Sequence, residues 1–320
     1  MQLTGFHHLT AISADARGNV DFYTRSLGMR MVKKTVNQDD TSAYHFFYAD
    51  GDGSPGTDIT FFDWPARPER RGTQSITRTG LRVASVDSLK YWENRLSTLG
   101  VTHGEIVDRD ERPTLDFDDP EGQRLAFVLD DGRWTPHSWG KSPVPAEHQV
   151  LGLGPITISV RALEPTADVL TKLMEMRETR SYESSATDGS DRMSTVHVFE
   201  MGQGGPSAEL HVAVEPEVSR HSPGAGRAHH VAFRVPTFDE YDQWFERLQE
   251  FGVRSSGPVD RFYFRSLYFR EPGGILFELA TDQPGFSADE PKESMGEKLS
   301  LPPFLEGQRA EIEAGLKPIE

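Results

Sequence analysis

The chain has 320 residues, with 34 Lys and Arg against 50 Asp and Glu, for a formal net charge of −16. That acidity makes nucleic acid and anionic membrane surfaces poor partners, and a content of 36% hydrophobic and 26% charged residues suits a folded protein rather than a disordered one. With no cysteine, disulfides, thiolate nucleophiles, cysteine-ligated zinc and iron–sulfur clusters are excluded, so any metal must be held by His, Asp or Glu, a donor set suited to iron(II), manganese or zinc.

In chain order, one unit recurs at a spacing of roughly 75 residues: a strand, a helix, and then further strands. The first unit opens on Phe6-His7-His8-Leu9-Thr10, a short apolar strand. A helix over residues 19–27 follows, stopped by Gly28, and then strands near 44–48 and 58–62. The second opens at residues 78–83 and has a helix over 88–96. The turn Asp118-Asp119-Pro120-Glu121-Gly122 then leads into a strand at 125–129. Residues 131–150, rich in Pro, Ser, Gly and Trp, read as a linker. The third unit opens at 154–160, with a helix over 166–176 and strands at 194–199 and 208–213. The fourth opens on Ala228-His229-His230-Val231-Ala232, with a helix over 238–248. Its turn Glu271-Pro272-Gly273-Gly274 mirrors the acid-Pro-Gly turn of the second unit and leads into a strand at 275–280.

The expected fold is therefore α+β: four βαβββ modules paired into cup-shaped mixed sheets. The expected organisation is an N-terminal domain over 1–140, a C-terminal domain over 151–283 and a docking tail over 284–320 with a short helix. No apolar run reaches the length of a membrane span and the N-terminus lacks a basic-then-apolar pattern, so no membrane association and a cytoplasmic location are expected.

The two His-His strands carry the chemistry. Neighbouring strand side chains point to opposite faces, so each pair offers one imidazole to a concave site and one to the other side of the sheet. Two imidazoles from distant strands and one carboxylate make a three-ligand metal site.

The repeated βαβββ unit, the Pro-Gly-Gly turn before Phe277-Glu278-Leu279, and the tail Leu301-Pro302-Pro303-Phe304-Leu305 resemble the vicinal-oxygen-chelate superfamily. That superfamily includes glyoxalase I, bleomycin-resistance proteins and extradiol dioxygenases, and among them the hydroquinone-type ring-cleaving dioxygenases are the most similar. The resemblance implies metal ligands on the first and last strands of modules. Aligned module against module, His230 matches His8, Arg78 and Pro155, while Glu278 matches Thr60, roughly His211, and an apolar residue of the second module. The implied ligands are His8, His230 and Glu278, a facial triad that leaves positions open for substrate and O2. A glyoxalase-type site needs a fourth ligand where Thr60 stands. Catechol-type relatives draw ligands from modules three and four, but the first strand of module three has no His.

By strand parity Glu278 shares a face with Leu276 and Ala280, His230 with Ala232, and His8 with Thr10. His7 and His229 then stand behind the ligands. The resemblance places Tyr268 and Arg261 at the cup, although the residues alone allow a core aromatic and a solvated charge. His229 or Tyr268 is the expected proton donor. Arg261 and His7 would orient substrate oxygens or fix ligand tautomers, Thr10 would hydrogen-bond near the metal, and Phe262 and Phe264 would wall off a flat ring. His197 and His211 read as structural or surface residues. The implied activity is iron(II)-dependent extradiol-type cleavage of a hydroquinone or catechol, with manganese(II) as the alternative ion, an aromatic diol and O2 as partners, and homo-oligomer formation left open. Two other readings stay open: a glyoxalase-like metal-dependent lyase or isomerase, and a metal-free protein of the same fold that sequesters an aromatic toxin.

Overall fold

The helices follow directly from their end signals and apolar stripes. Helix α2 (Val86–Leu99) and helix α4 (Phe238–Glu250) are each opened by a hydroxyl cap, Ser85 Oγ on the Ser88 amide and Thr237 Oγ1 on the Glu240 amide. They bury equivalent stripes, Leu89, Trp92 and Leu96 in one and Tyr241, Trp244 and Leu248 in the other. Helices α1 (Ala16–Asp21) and α3 (Leu163–Asp168) are shorter and start earlier than the sequence suggests. Each continues into a widened turn, Phe22–Ser26 and Val169–Leu173, in which Leu27 N reaches Phe22 O and Met174 N reaches Val169 O.

The computed structural model describes residues 1–319. Its strands are β1 (Phe6–Ser13), β2 (Arg30–Val36), β3 (Tyr44–Ala49) and β4 (Asp58–Asp63) in the first module, and β5 (Ser75–Val83), β6 (His103–Arg109), β7 (Arg112–Asp118) and β8 (Arg124–Leu129) in the second. The third has β9 (Gly152–Val160), β10 (Arg177–Ser185), β11 (Met193–Glu200) and β12 (Glu209–Val214). The fourth has β13 (Ala228–Val235), β14 (Val259–Asp260), β15 (Arg265–Arg270) and β16 (Leu276–Thr281). This is the expected α+β arrangement of βαβββ modules.

The modules combine into two eight-stranded mixed sheets, ordered β14-β15-β16-β13-β1-β4-β3-β2 and β10-β11-β12-β9-β5-β8-β7-β6. Each sheet is curled so that its two edges meet. In the first, Gln38 Nε2 donates to Arg261 O at 2.8 Å and Arg261 Nη2 donates to Asp39 Oδ2 at 2.8 Å. In the second, Arg180 Nε donates to Asp110 Oδ1 at 2.8 Å.

The sheets cross the division into residues 1–140 and 151–283. Module one shares its sheet with module four, and module two with module three, so a cut between the halves severs both sheets. Sequential modules are instead joined through their helices and turns. Arg95 donates to the backbone oxygens of Ser26 and Arg25, and Arg247 to those of Leu173 and Lys172. Tyr23 donates to Asp119 Oδ2 at 3.1 Å, and Thr166 to Glu271 Oε2 at 2.8 Å, so both acid-Pro-Gly turns dock on the helix of the preceding module. The four opening strands have similar apolar patterns, and nothing local in them selects the partner across the sheet. One core cluster runs through all four modules.

The segment after Thr281 docks along the β2 edge. Leu299 bridges Lys34, the Ser300 amide donates to Lys34 O, and Leu301, Leu305 and Ile312 pack on Val36. Helix α5 (Arg309–Gly315) ends it. An edge strand covered in this way offers no free ladder to another chain. The fully buried Lys33 ammonium fixes the tail: it meets Asp289 Oδ1 at 2.7 Å and also Glu290, and lies over the Tyr263 ring. No helix among the described residues is long and apolar enough to cross a membrane.

Replacing Lys33 by Ala strands two carboxylates with little water around them. Denaturant unfolding of K33A is expected to show a loss of about 3 kcal/mol, the low end for breaking a buried ion pair because both acids keep some exposure.

Candidate metal centre

The site is built on the antiparallel pairing of β1 with β13. His8 pairs with Ala232 and Thr10 with His230, and Ala232 pairs in parallel with Glu278 on β16. This register puts His8, His230 and Glu278 on one face. Phe277 and Leu279 take the opposite face and join the core, as parity predicts.

His7 and His229 do not simply alternate away. The register shifts between Phe6 and His8, and again between Thr10 and Ala11, where the partner strand passes from His230 to Ala228. Each shift leaves one residue unpaired, His7 on β1 and His229 on β13, as β-bulges do. Both rings then lie against the ligand rings: His7 Nδ1 is 2.9 Å from His8 Nδ1, and His229 Nδ1 is 2.8 Å from His230 Nδ1. Engaging Nδ1 of each inner imidazole leaves Nε2 for the site.

Three donor atoms converge. Glu278 Oε2 is 3.2 Å from His8 Nε2 and 2.9 Å from His230 Nε2, and the two Nε2 atoms are 3.4 Å apart. Metal bonds of about 2.1 Å at right angles put neighbouring donors about 3.0 Å apart, so the spacing matches a facial set. Glu278 Oε1 is taken by the Ser266 hydroxyl at 2.5 Å. Oε2, although close to both imidazoles, is buried and makes no hydrogen bond of acceptable geometry. A buried carboxylate oxygen left open in this way is what a cation would satisfy.

Charge states agree with that reading. Burial pushes Glu278 up, but His8 and His230 beside it more than offset this and hold it well below the usual carboxylate range. Burial lowers His230 against the opposing pull of Glu278. Burial, with the neighbouring inner imidazole, depresses His7 and His229 to about 3 each. At neutral pH Glu278 is thus ionised and His7, His229 and His230 are neutral, as metal ligation requires of ligands and their supports.

A cavity opens over these atoms, and Thr10, Arg261, Phe264 and Tyr268 line it. Arg261 Nε donates to the Tyr268 hydroxyl at 3.3 Å, and the Tyr268 ring meets the His230 ring edge-on. Burial, then Glu278, raises Tyr268 above its ordinary range, which keeps its proton in place. Phe264 packs on both His7 and His8. Phe262 falls outside the cavity lining and packs beside Tyr263 instead. His229 also lies outside it, with Phe62 and Trp64 against its ring, so of the two expected proton donors only Tyr268 faces the cavity.

The sequence reading missed His45, Asn37 and Gln38 in the cavity wall. His45 Nε2 is 3.0 Å from Thr60 Oγ1, which in turn contacts Thr10 Oγ1 at 2.8 Å. Phe47 lies opposite Thr60 as Tyr268 lies opposite Glu278. His45 is therefore the counterpart of Ser266, each contacting the residue in the same row of its module. Alternation along Tyr44-His45-Phe46-Phe47-Tyr48 was the available signal, since it puts His45 on the face of Phe47.

The fold agrees with that of similar proteins. Residues 5–127 and 152–279 match the family described as the Glyoxalase/Bleomycin resistance protein/Dioxygenase superfamily, and the chain belongs to that superfamily. MhqA of Bacillus subtilis (strain 168), whose name assigns it provisionally to the ring-cleaving dioxygenases, is 43% identical over 322 residues, covering 100% of both chains. The chlorohydroquinone/hydroquinone 1,2-dioxygenase of Sphingobium indicum is 30% identical, covering 97% of this chain and 95% of the relative. A Bacillus subtilis crystal structure provisionally called a dioxygenase superposes with a TM-score of 0.90 at 34% identity, covering 100% of this chain and 98% of that one. Glyoxalase I from Zea mays shares the fold, with a TM-score of 0.60 at 14% identity over 87% of this chain and 92% of its own.

Ser266→Ala would leave Glu278 Oε1 buried without its donor. Unfolding of the metal-free variant is expected to report a loss of about 2 kcal/mol, the scale of a hydrogen bond to a buried charge.

Proposed function

We propose that this enzyme opens the aromatic ring of a hydroquinone with O2, using iron(II) held by His8, His230 and Glu278. The observation that carries the reading is the meeting of these three donors beneath a cavity, with one carboxylate oxygen left for a cation. The names of the full-length relatives supply the reaction class, and the Sphingobium indicum relative points to a hydroquinone. Manganese(II) suits the same donors.

Bound iron(II) would supply neighbouring open positions for a ring hydroxyl and O2, together with reducing electrons for O2. The remaining work falls to the chain. His7 and His229 hold the inner imidazoles with Nε2 toward the ion. The Tyr268 hydroxyl, positioned by Arg261, holds a proton at the cavity wall for delivery to a substrate oxygen. Asp39 draws Arg261 to the rim and limits its swing. The Thr10–Thr60–His45 contacts occupy the polar groups opposite Glu278, and Phe47, Phe62 and Phe264 offer flat apolar walls for a ring. A glyoxalase-type lyase is the weaker reading, because its fourth ligand would have to replace Thr60, whose hydroxyl is already engaged by Thr10 and His45.

Protein reconstituted without oxygen is expected to hold one iron per chain and to consume O2 only when a hydroquinone is added. Iron-loaded protein that consumes no O2 with any aromatic diol would overturn the reading. His8→Ala and Glu278→Ala are expected to lose both metal and activity. His7→Ala and His229→Ala are expected to retain metal with affinity weakened about 10- to 100-fold, as for other groups that orient ligands. Tyr268→Phe is expected to keep full metal while kcat falls about 100-fold, the scale of one general acid.

A further inference from the structure

The second sheet forms a cup of its own, related to the first by the module repeat. Arg78 pairs with Thr157 as His8 pairs with Ala232, and Thr157 pairs with His211 as Ala232 pairs with Glu278. Arg78 therefore stands in the His8 position, Pro155 in that of His230, and His211 in that of Glu278. The register shifts of β1 and β13 also recur between β5 and β9. A cavity opens at this place, with Gly80, Val128, Pro155 and Tyr182 among its apolar and aromatic walls and Arg109, Asp110 and Arg112 among its charged ones.

Asp110, Glu209 and His211 approach one another here as metal ligands do. They are already satisfied by protein. Arg112 forks both oxygens of Glu209 at 2.5 and 2.7 Å, and Arg180 bonds both Asp110 and Glu209. His211 sits with Nδ1 2.9 Å from the Tyr182 hydroxyl and Nε2 3.2 Å from Glu209 Oε2, so both ring nitrogens are used. A cation placed there would displace two guanidinium groups.

What remains without a hydrogen-bonded partner is a guanidinium. Asp110, Asp116, Glu200 and Glu209 face Arg78, Arg109, Arg112 and Arg180, and Arg109, Arg112 and Arg180 each hydrogen-bond a carboxylate. Arg109 occupies both oxygens of Asp116 at 2.7 and 2.5 Å. Arg78 is the group left over. Its Nε lies 3.3 Å from Asp116 Oδ1 without making a hydrogen bond, and that atom is buried. The side chain as a whole is 23% exposed and lines the cavity, so solvent can reach it. A planar guanidinium with unused donors at an apolar cleft matches a carboxylate, which it can bind through two parallel hydrogen bonds.

We propose that this second cup is a metal-free binding site for a small aromatic carboxylate, with Arg78 clamping the carboxylate and Val128, Pro155 and Tyr182 bordering the ring. The site is separate from the proposed iron centre and does not depend on it.

Calorimetric titration of the full-length, iron-free protein with sodium benzoate is expected to show one site. Benzamide, with the same shape and no charge, is expected to bind at least tenfold more weakly. Arg78→Gln is expected to lower benzoate affinity at least tenfold, while Arg261→Gln, in the other cup, leaves it within twofold. Absence of benzoate binding, equal binding of benzamide by the unaltered protein, or loss on Arg261→Gln instead of Arg78→Gln would overturn the proposal. The benzamide comparison needs no variant and stands even if Arg78→Gln fails to fold.

Discussion

The pairing of β1 with β13 is the constraint on which the candidate metal centre rests. His8 and His230 are separated by 222 positions in the chain, yet their Nε2 atoms lie 3.4 Å apart because these two strands run antiparallel side by side. The bulges that leave His7 and His229 unpaired do the rest. Without them a strand would send neighbouring imidazoles to opposite faces, and neither outer ring could engage Nδ1 of its neighbour. Glu278 then enters through β16, which lies parallel to β13, with Ser266 on β15 holding its other oxygen.

Much of this arrangement was legible in the sequence. The module repeat, the two His-His strands and the Phe-Glu-Leu strand pointed to the same residues that converge here, and aligning modules against one another eliminated Arg78, Pro155 and Thr60 as ligands. The reasons for the misses are physical. The ligand set already implied that modules one and four face each other around the metal, as β1 and β13 do, but which modules share a sheet is a non-local property, and opening strands of similar apolar pattern allow sequential halves as readily as the nested order observed. Bulges leave no local mark in a strand of Phe, His, Leu and Thr. His45 was hidden because its role depends on the residue diagonally across the strand pair, and Lys33 because its carboxylate partners lie more than 250 positions further along the chain.

The helices and the sheets tie the modules together in different pairs, and this bears on rigidity. Sheets join one to four and two to three, while Arg95, Arg247 and the two acid-Pro-Gly turns join one to two and three to four. The four modules therefore form a closed ring of contacts. Displacing any module disturbs both a sheet and a helix contact, so a donor set spread over β1, β13 and β16 is held from two directions.

The two cups show why similar geometry does not give the same chemistry. Each has a site where carboxylate and imidazole atoms come within ligand distance of one another. In the second cup arginines supply the countercharge, so its carboxylates have no unmet demand. In the first, none of the groups touching Glu278 Oε2 is a fixed cation, since both neighbours are imidazole nitrogens and Ser266 serves the other oxygen. Arg261, the nearest guanidinium in the cavity wall, is drawn off by Asp39 and Tyr268. Keeping arginine away from one acid and crowding it around the others separates a site that calls for a metal from one that does not. In the second cup, Arg78 in the His8 position is left without a hydrogen-bonded carboxylate.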